Sequence, residues 1–190
     1  MMPSKSKNTK VVLCGSSSVG KTTILQRILN KEIDNIPSTL GVGFATIYYT
    51  YNETKVGLNL WDTAGQEAFR SLVNIYFRDA EIAVLVFDLS NMNSFRAIRG
   101  WIDDVQENCG KESPSFILCG NKSDRRNERK VQQHDIDELA KAFKMHYFEV
   151  SAYENTGIND LLQKIASLSL QRTSNTIIEE RVEPEEGKCC

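Results

Sequence analysis

The stretch Gly15-Ser16-Ser17-Ser18-Val19-Gly20-Lys21-Thr22 constrains this chain more than any other. It fits the template G-x-x-x-x-G-K-[ST] and follows the apolar run Val11-Val12-Leu13. Each fixed residue has a physical task in a nucleotide-phosphate cradle. The glycines let the backbone turn its N–H groups toward phosphate oxygens, Lys21 adds a point charge near the β and γ phosphates, and Thr22 offers its hydroxyl to Mg²⁺. Ile24, Leu25, Ile28 and Leu29 then keep helical spacing, so the loop ends at a helix N-terminus, where partial positive charge favours an anion. The bland alternative is a Gly/Ser-rich turn that matches by chance. The order strand, loop, helix argues against it.

The 190 residues are enough for one domain with a substantial core, and 41% hydrophobic with 25% charged residues is ordinary for a globular protein. A net charge of −2 and no basic stripe with interleaved aromatics argue against nucleic acid as a partner. The polar opening and the lack of a long apolar run predict a cytosolic protein. Cys14, Cys109 and Cys119 are scattered in apolar surroundings and read as reduced core residues. His134 and His146 have no metal-ligand spacing and read as surface or packing residues.

From Val42 to Tyr51 the chain is rich in β-branched and aromatic residues; a polar turn at Asn52-Glu53-Thr54 and the alternation Val56, Leu58, Leu60 complete a β-hairpin. Ile82 to Phe87 and Phe116 to Cys119 are continuous apolar runs suited to buried parallel strands, and Tyr147 to Val150 is a third candidate. Helical spacing joins Phe95, Ile98, Ile102, Val105 and Cys109, then Ile136, Leu139, Ala140 and Phe143, then Ile158, Leu161, Leu162 and Ile165. The expected fold is α/β: a mostly parallel sheet with one antiparallel strand and helices on both faces, its ligands at the carboxyl ends of the strands. Residues 1–9 read as a flexible N-terminus, 10–171 as the domain and 172–190 as a disordered, mainly acidic tail.

Asp62-Thr63-Ala64-Gly65-Gln66 follows the hairpin's second strand. An aspartate there can hold Mg²⁺, Gly65 permits close backbone approach to a γ-phosphate, and Gln66 can orient an attacking water through its amide. Taken alone, the segment is an ordinary strand exit; its place after a phosphate loop reverses that balance. Asn121-Lys122-Ser123-Asp124 follows the strand ending at Cys119-Gly120. The Asp124 carboxylate can accept from guanine N1–H and the 2-amino group together, a pair of donors adenine lacks. The alternative is a polar loop before the charged run Arg125 to Lys130.

In this order the motifs resemble those of the Ras superfamily of small GTPases, and among them the Rab family most, over about Lys10 to Gln171. The resemblance implies a six-stranded P-loop NTPase G domain that binds GTP or GDP with Mg²⁺ and hydrolyses GTP slowly as a switch in vesicle trafficking. It implies phosphate contacts from Ser16, Ser17, Ser18, Val19, Gly20, Lys21, Thr22, Thr23, Thr39 and Gly65, with catalytic roles for Lys21, Gly65 and Gln66. It further implies Mg²⁺ ligation by Thr22, Thr39 and Asp62, guanine contacts from Asn121, Lys122, Asp124, Ser151, Ala152 and Tyr153, and an effector surface of Phe44, Trp61 and Tyr76. For those three aromatics, ordinary core packing is the alternative.

The terminal pair Cys189-Cys190 resembles a Rab ending that carries two geranylgeranyl chains, which would bring a monomeric domain to the cytoplasmic face of an intracellular membrane. The implied partners are a nucleotide-exchange factor, a GTPase-activating protein, a prenylation escort, a GDP-dissociation-inhibitor-type carrier and effectors. This sequence departs from the family at Gly43, where an acidic residue is usual, at Ala68 in place of a basic residue and at Tyr153 in place of lysine. It also has no aromatic residue between Arg27 and Thr39, leaving Ile33 as the nearest apolar candidate for the base. The competing readings are a nucleotide-holding scaffold that does not switch and a P-loop kinase of small metabolites. The scaffold would need a defect at Gln66, Thr39 or Lys21, and the kinase an acceptor pocket and lid.

Overall fold

The structure is a computed structural model that describes residues 8–30, 42–63, 74–110 and 112–180. Its centre is a six-stranded sheet of order β2-β3-β1-β4-β5-β6, built from β1 (Thr9–Cys14), β2 (Val42–Tyr51), β3 (Thr54–Thr63), β4 (Ile82–Asp88), β5 (Ser115–Asn121) and β6 (His146–Glu149). β2 runs antiparallel to β3 at one edge, and the remaining neighbours are parallel. The described helices are α1 (Lys21–Ile28), α2 (Met92–Arg96), α3 (Ile98–Asn108), α4 (Gln133–Ala142) and α5 (Ile158–Glu180), with short 3₁₀ turns at Asn74–Tyr76 and Arg126–Glu128.

The period of a strand divides the core. Val11 and Leu13 of β1 face one cluster with Ile24, Leu25, Leu161 and Ile165, whereas Val12 and Cys14 face the other with Ile98, Trp101, Ile102 and Ile136. β4 repeats the division: Ile82, Val84 and Val86 point one way, and Ala83, Leu85 and Phe87 the other. Burial on both faces is why β4 reads as an unbroken apolar run and not as an alternation. Cys14, Cys109 and Cys119 are free thiols inside this packing, and burial pushes the Cys14 thiol well above its ordinary range and Cys119 to about 12.

Three boundaries differ from the sequence reading. The helical spacing from Phe95 to Cys109 belongs to two helices that meet at Ala97 (φ −70°, ψ −16°). Asn91 caps the first by accepting from the Asn93 N–H, so the helix begins before the apolar periodicity shows it. Thr9, assigned to a flexible N-terminus, is buried in β1, with its hydroxyl 2.5 Å from that of Ser169. The sequence predicts a tail from Arg172, yet α5 runs through that residue to Glu180. Arg172 is tied to the Ser113 carbonyl at 3.3 Å and to Glu112 at 3.2 Å, and a helix already nucleated by its packed segment propagates cheaply beyond it.

Candidate functional site

The carboxyl ends of β1, β3, β4 and β5 lie side by side because the strands are in register: Leu13 pairs with Asp62, and Asp88 with Asn121. The loop from Gly15 to Gly20 leaves β1 at this edge and enters α1. Its glycines answer to backbone demands. Gly15 has φ +144° and Gly20 φ +97°, and a Cβ on the first would meet the Val86 carbonyl oxygen, on the second the Asn121 amide. Ser18 also adopts a positive φ, 63°. Lys21 is buried, and its ammonium donates to the Gly15 and Ser16 carbonyls at 2.8 and 2.9 Å, which holds the charge across the mouth of the loop.

Thr22, in the first turn of α1, donates its hydroxyl to Asp62 Oδ2 at 2.6 Å. Asp62 is 1% exposed, and the adjacent Thr63 hydroxyl donates to the Leu13 carbonyl at 2.7 Å, locking the end of β3 against β1. A hydroxyl and a carboxylate in contact beside a phosphate loop are hard oxygen donors of the kind Mg²⁺ takes, so the residues present fit that ion. Thr39, Ala64, Gly65 and Gln66 lie outside the described residues.

At the opposite end, Asn121 is 2% exposed and turns its amide onto the protein. Its Nδ2 donates to the Val19 carbonyl at 2.8 Å and its Oδ1 accepts from the Ala152 N–H at 3.0 Å, so one side chain ties the phosphate loop to the segment after β6. Asp124 Oδ1 accepts from the Ser151 hydroxyl at 2.5 Å, and that hydroxyl accepts from the Glu154 N–H at 3.0 Å. Paired backbone bonds between Ser151 and Thr156, both 3.0 Å, close this loop. Tyr153 projects from it, 74% exposed. The structure thus brings Asn121, Lys122, Asp124, Ser151 and Ala152 to one place.

Phe44, Trp61 and Tyr76 also meet. The Phe44 and Trp61 ring centroids are 4.7 Å apart and those of Trp61 and Tyr76 5.6 Å; Phe44 is 54% exposed, whereas Trp61 is partly buried and packs against the core. The Lys10 ammonium lies 5.0 Å from the Trp61 ring centre. Cys189 and Cys190 lie outside the described residues.

Two residues at the site escaped the sequence reading. Asp88, at the end of β4, holds the Lys122 ammonium at 2.8 Å and accepts from the Ser90 N–H and hydroxyl at 2.8 and 2.7 Å. Burial opposes its ionisation, but the Lys122 and Ser90 hydrogen bonds and the Lys122 charge outweigh this and keep its carboxyl below the usual range. Arg27, near the end of α1, donates to the Ala152 and Tyr153 carbonyls at 2.8 and 2.7 Å. Nothing local in the sequence marks either: Asp88 reaches Lys122 only through the β4–β5 register, and Arg27 reaches its carbonyls only once α1 packs beside the segment after β6.

Comparison with known proteins agrees with this architecture. The Ras family model matches residues 10–171. The chain is 35% identical to the Ras-related protein Rab-27A of Rattus norvegicus over 179 residues, which span 88% of this chain and 81% of that protein. It is 34% identical to the Ras-related protein Rab-17 of Mus musculus (88% and 78%) and 36% identical to the Ras-related protein Rab-27B of Bos taurus (88% and 82%). A family match over nearly the whole sheet, together with relatives about 35% identical over most of the chain, leaves a single conclusion: the chain belongs to the Ras family and is a Rab-like small GTPase, which binds guanine nucleotide, hydrolyses GTP and serves vesicle trafficking.

Proposed function

We propose that the chain is a Mg²⁺-dependent GTP/GDP switch whose output is the conformation of the segments around Thr39 and Gly65. The observation that supports this most is the Thr22–Asp62 contact at 2.6 Å beside the Lys21 ammonium. It sets two oxygen donors and a positive charge at the end of one phosphate loop. There the Ser16 to Thr23 backbone and Lys21 bind the phosphates, and Thr22, Thr39 and Asp62 hold the ion. When bound, Mg²⁺ neutralises charge on the β and γ phosphates.

Gln66 orients the attacking water and the Gly65 N–H contacts the γ-phosphate, while Asp124 reads guanine, with Lys122 along the base and the Ser151 to Tyr153 backbone at its edge. The sequence alone places no arginine at the γ-phosphate, so an activating protein supplies one, a device worth about 10³–10⁵ in kcat. Gln66→Leu therefore keeps GTP affinity but slows single-turnover hydrolysis by up to about tenfold, the worth of one hydrogen bond to the water. A rate equal to the parent's, with Mg²⁺ present, would remove Gln66 from the mechanism.

Among the described residues no helix is long and apolar enough to cross a membrane. Membrane contact is made by Cys189 and Cys190, each carrying a geranylgeranyl chain, as the Rab-like Cys-Cys ending implies. Two lipids are needed because one anchors only marginally and the acidic tail adds no basic attraction. An exchange factor, a prenylation escort, a GDP-dissociation-inhibitor-type carrier and effectors that read Phe44, Trp61 and Tyr76 complete the cycle. Intact mass of protein from a eukaryotic host is expected to show both lipids; an unmodified chain, free of any carrier and wholly in the supernatant, would exclude this anchor.

A further inference from the structure

Arg27 is remote in sequence from the segment after β6, yet its guanidinium meets the carbonyls of two successive residues there, Ala152 at 2.8 Å through Nε and Tyr153 at 2.7 Å through Nη2. A planar fork of this kind fixes orientation as well as distance. The peptide after Tyr153 is trans, so anchoring its C=O aims the Glu154 N–H the opposite way. That N–H donates to the Ser151 hydroxyl at 3.0 Å, and the hydroxyl donates to Asp124 Oδ1 at 2.5 Å. An unbroken series of hydrogen bonds therefore runs from Arg27 to the carboxylate assigned to the base.

We infer that Arg27 is a positioning residue for base recognition, setting the Asp124 carboxylate through the Tyr153–Glu154 peptide and Ser151. The inference rests on the reading of Asp124 as the guanine acceptor. Arg27 sits on the helix that starts at Lys21, so it also joins the base loop to the element that begins at the phosphates. Because it grips backbone oxygens, the side chain at 153 is free to vary. This accounts for an exposed tyrosine, 74% accessible, where the family usually has lysine. Lysine at 27 has one donor group on a flexible stem and cannot reproduce the fork.

The test compares GDP with inosine diphosphate, which lacks the 2-amino group, on the full chain with Mg²⁺ held constant. The parent should prefer GDP, because both carboxylate contacts form only with guanine. In Arg27→Gln, GDP affinity should fall about tenfold and inosine diphosphate affinity less than about threefold, shrinking the ratio; Arg27→Lys should lie between. Melting curves establish that each variant is folded, and if the glutamine variant is not, the lysine variant decides. Equal losses for both nucleotides, or no loss, would overturn the positioning role and leave Asp124 untouched. A parent that does not distinguish the two nucleotides would instead reject Asp124 as the base reader, and the inference with it.

Discussion

Asp124→Asn should trade guanine for xanthine. The carboxylate spends Oδ1 on the Ser151 hydroxyl, and among the described residues no hydrogen bond reaches Oδ2, which is left for a base. Asparagine can keep a carbonyl toward Ser151 and present its NH₂ on the other side, where it faces the N1–H and 2-amino donors of guanine and repels both. Two hydrogen bonds to a charged group, at about 1.5–3 kcal/mol each, correspond to about 10²–10⁴ in GDP affinity. Xanthine, with a 2-oxo group, accepts from the new amide. Competition between GDP and XDP measures the exchange, and an unchanged ranking would rule the assignment out. The variant should melt close to the parent, since the Ser151 contact survives.

Asn121→Ala should be the most damaging single truncation at the site. It strands the Val19 carbonyl and the Ala152 N–H, two groups the amide satisfies at 2.8 and 3.0 Å. At about 1–3 kcal/mol for each group left without a partner, the cost is about 2–6 kcal/mol. For a domain of this size that lowers Tm by roughly 5–20 °C. The void also opens beside Gly20, whose missing Cβ makes room for this amide. Nucleotide release should accelerate for the same reason, because the phosphate loop and the base loop lose their shared tie. Thermal unfolding and release of a fluorescent GDP analogue report the two effects, and a loss of release control without a fall in Tm would separate anchoring from stability. Asn121→Asp keeps the acceptor for Ala152 but sets a buried charge against the Val19 carbonyl, so it should not rescue.

What the sequence discloses depends on how local the cause is. The strands from Val11 to Cys14 and from Ile82 to Phe87 were readable because both faces are covered, which demands apolar residues without a break. The hairpin was readable from its own turn and alternation. The phosphate loop shows itself because its backbone demands glycine at fixed places. Arg27 and Asp88 were silent because their roles exist only once distant elements meet: Arg27 lies 125 positions from Ala152, and Asp88 needs the β4–β5 register to reach Lys122. The sequence offers Asn121 as a guanine contact, whereas the tie its amide makes between Val19 and Ala152 was not legible. The end of α5 was misjudged because helical periodicity fades before the helix does.

The three internal thiols give the domain a chemical clock. Cys14 and Cys119 point to opposite faces of the sheet and Cys109 closes α3, all three almost without solvent contact. A thiolate, not a thiol, attacks an alkylating reagent, and burial holds Cys14 and Cys119 as thiols and keeps reagent away from all three, so the folded sheet is inert at these positions. Each modification then records an opening event, and where reclosing outpaces labelling its rate tracks the open population. Peptide mass mapping after timed alkylation would therefore time the two faces independently, and nucleotide loss could be placed before or after the parting of either one.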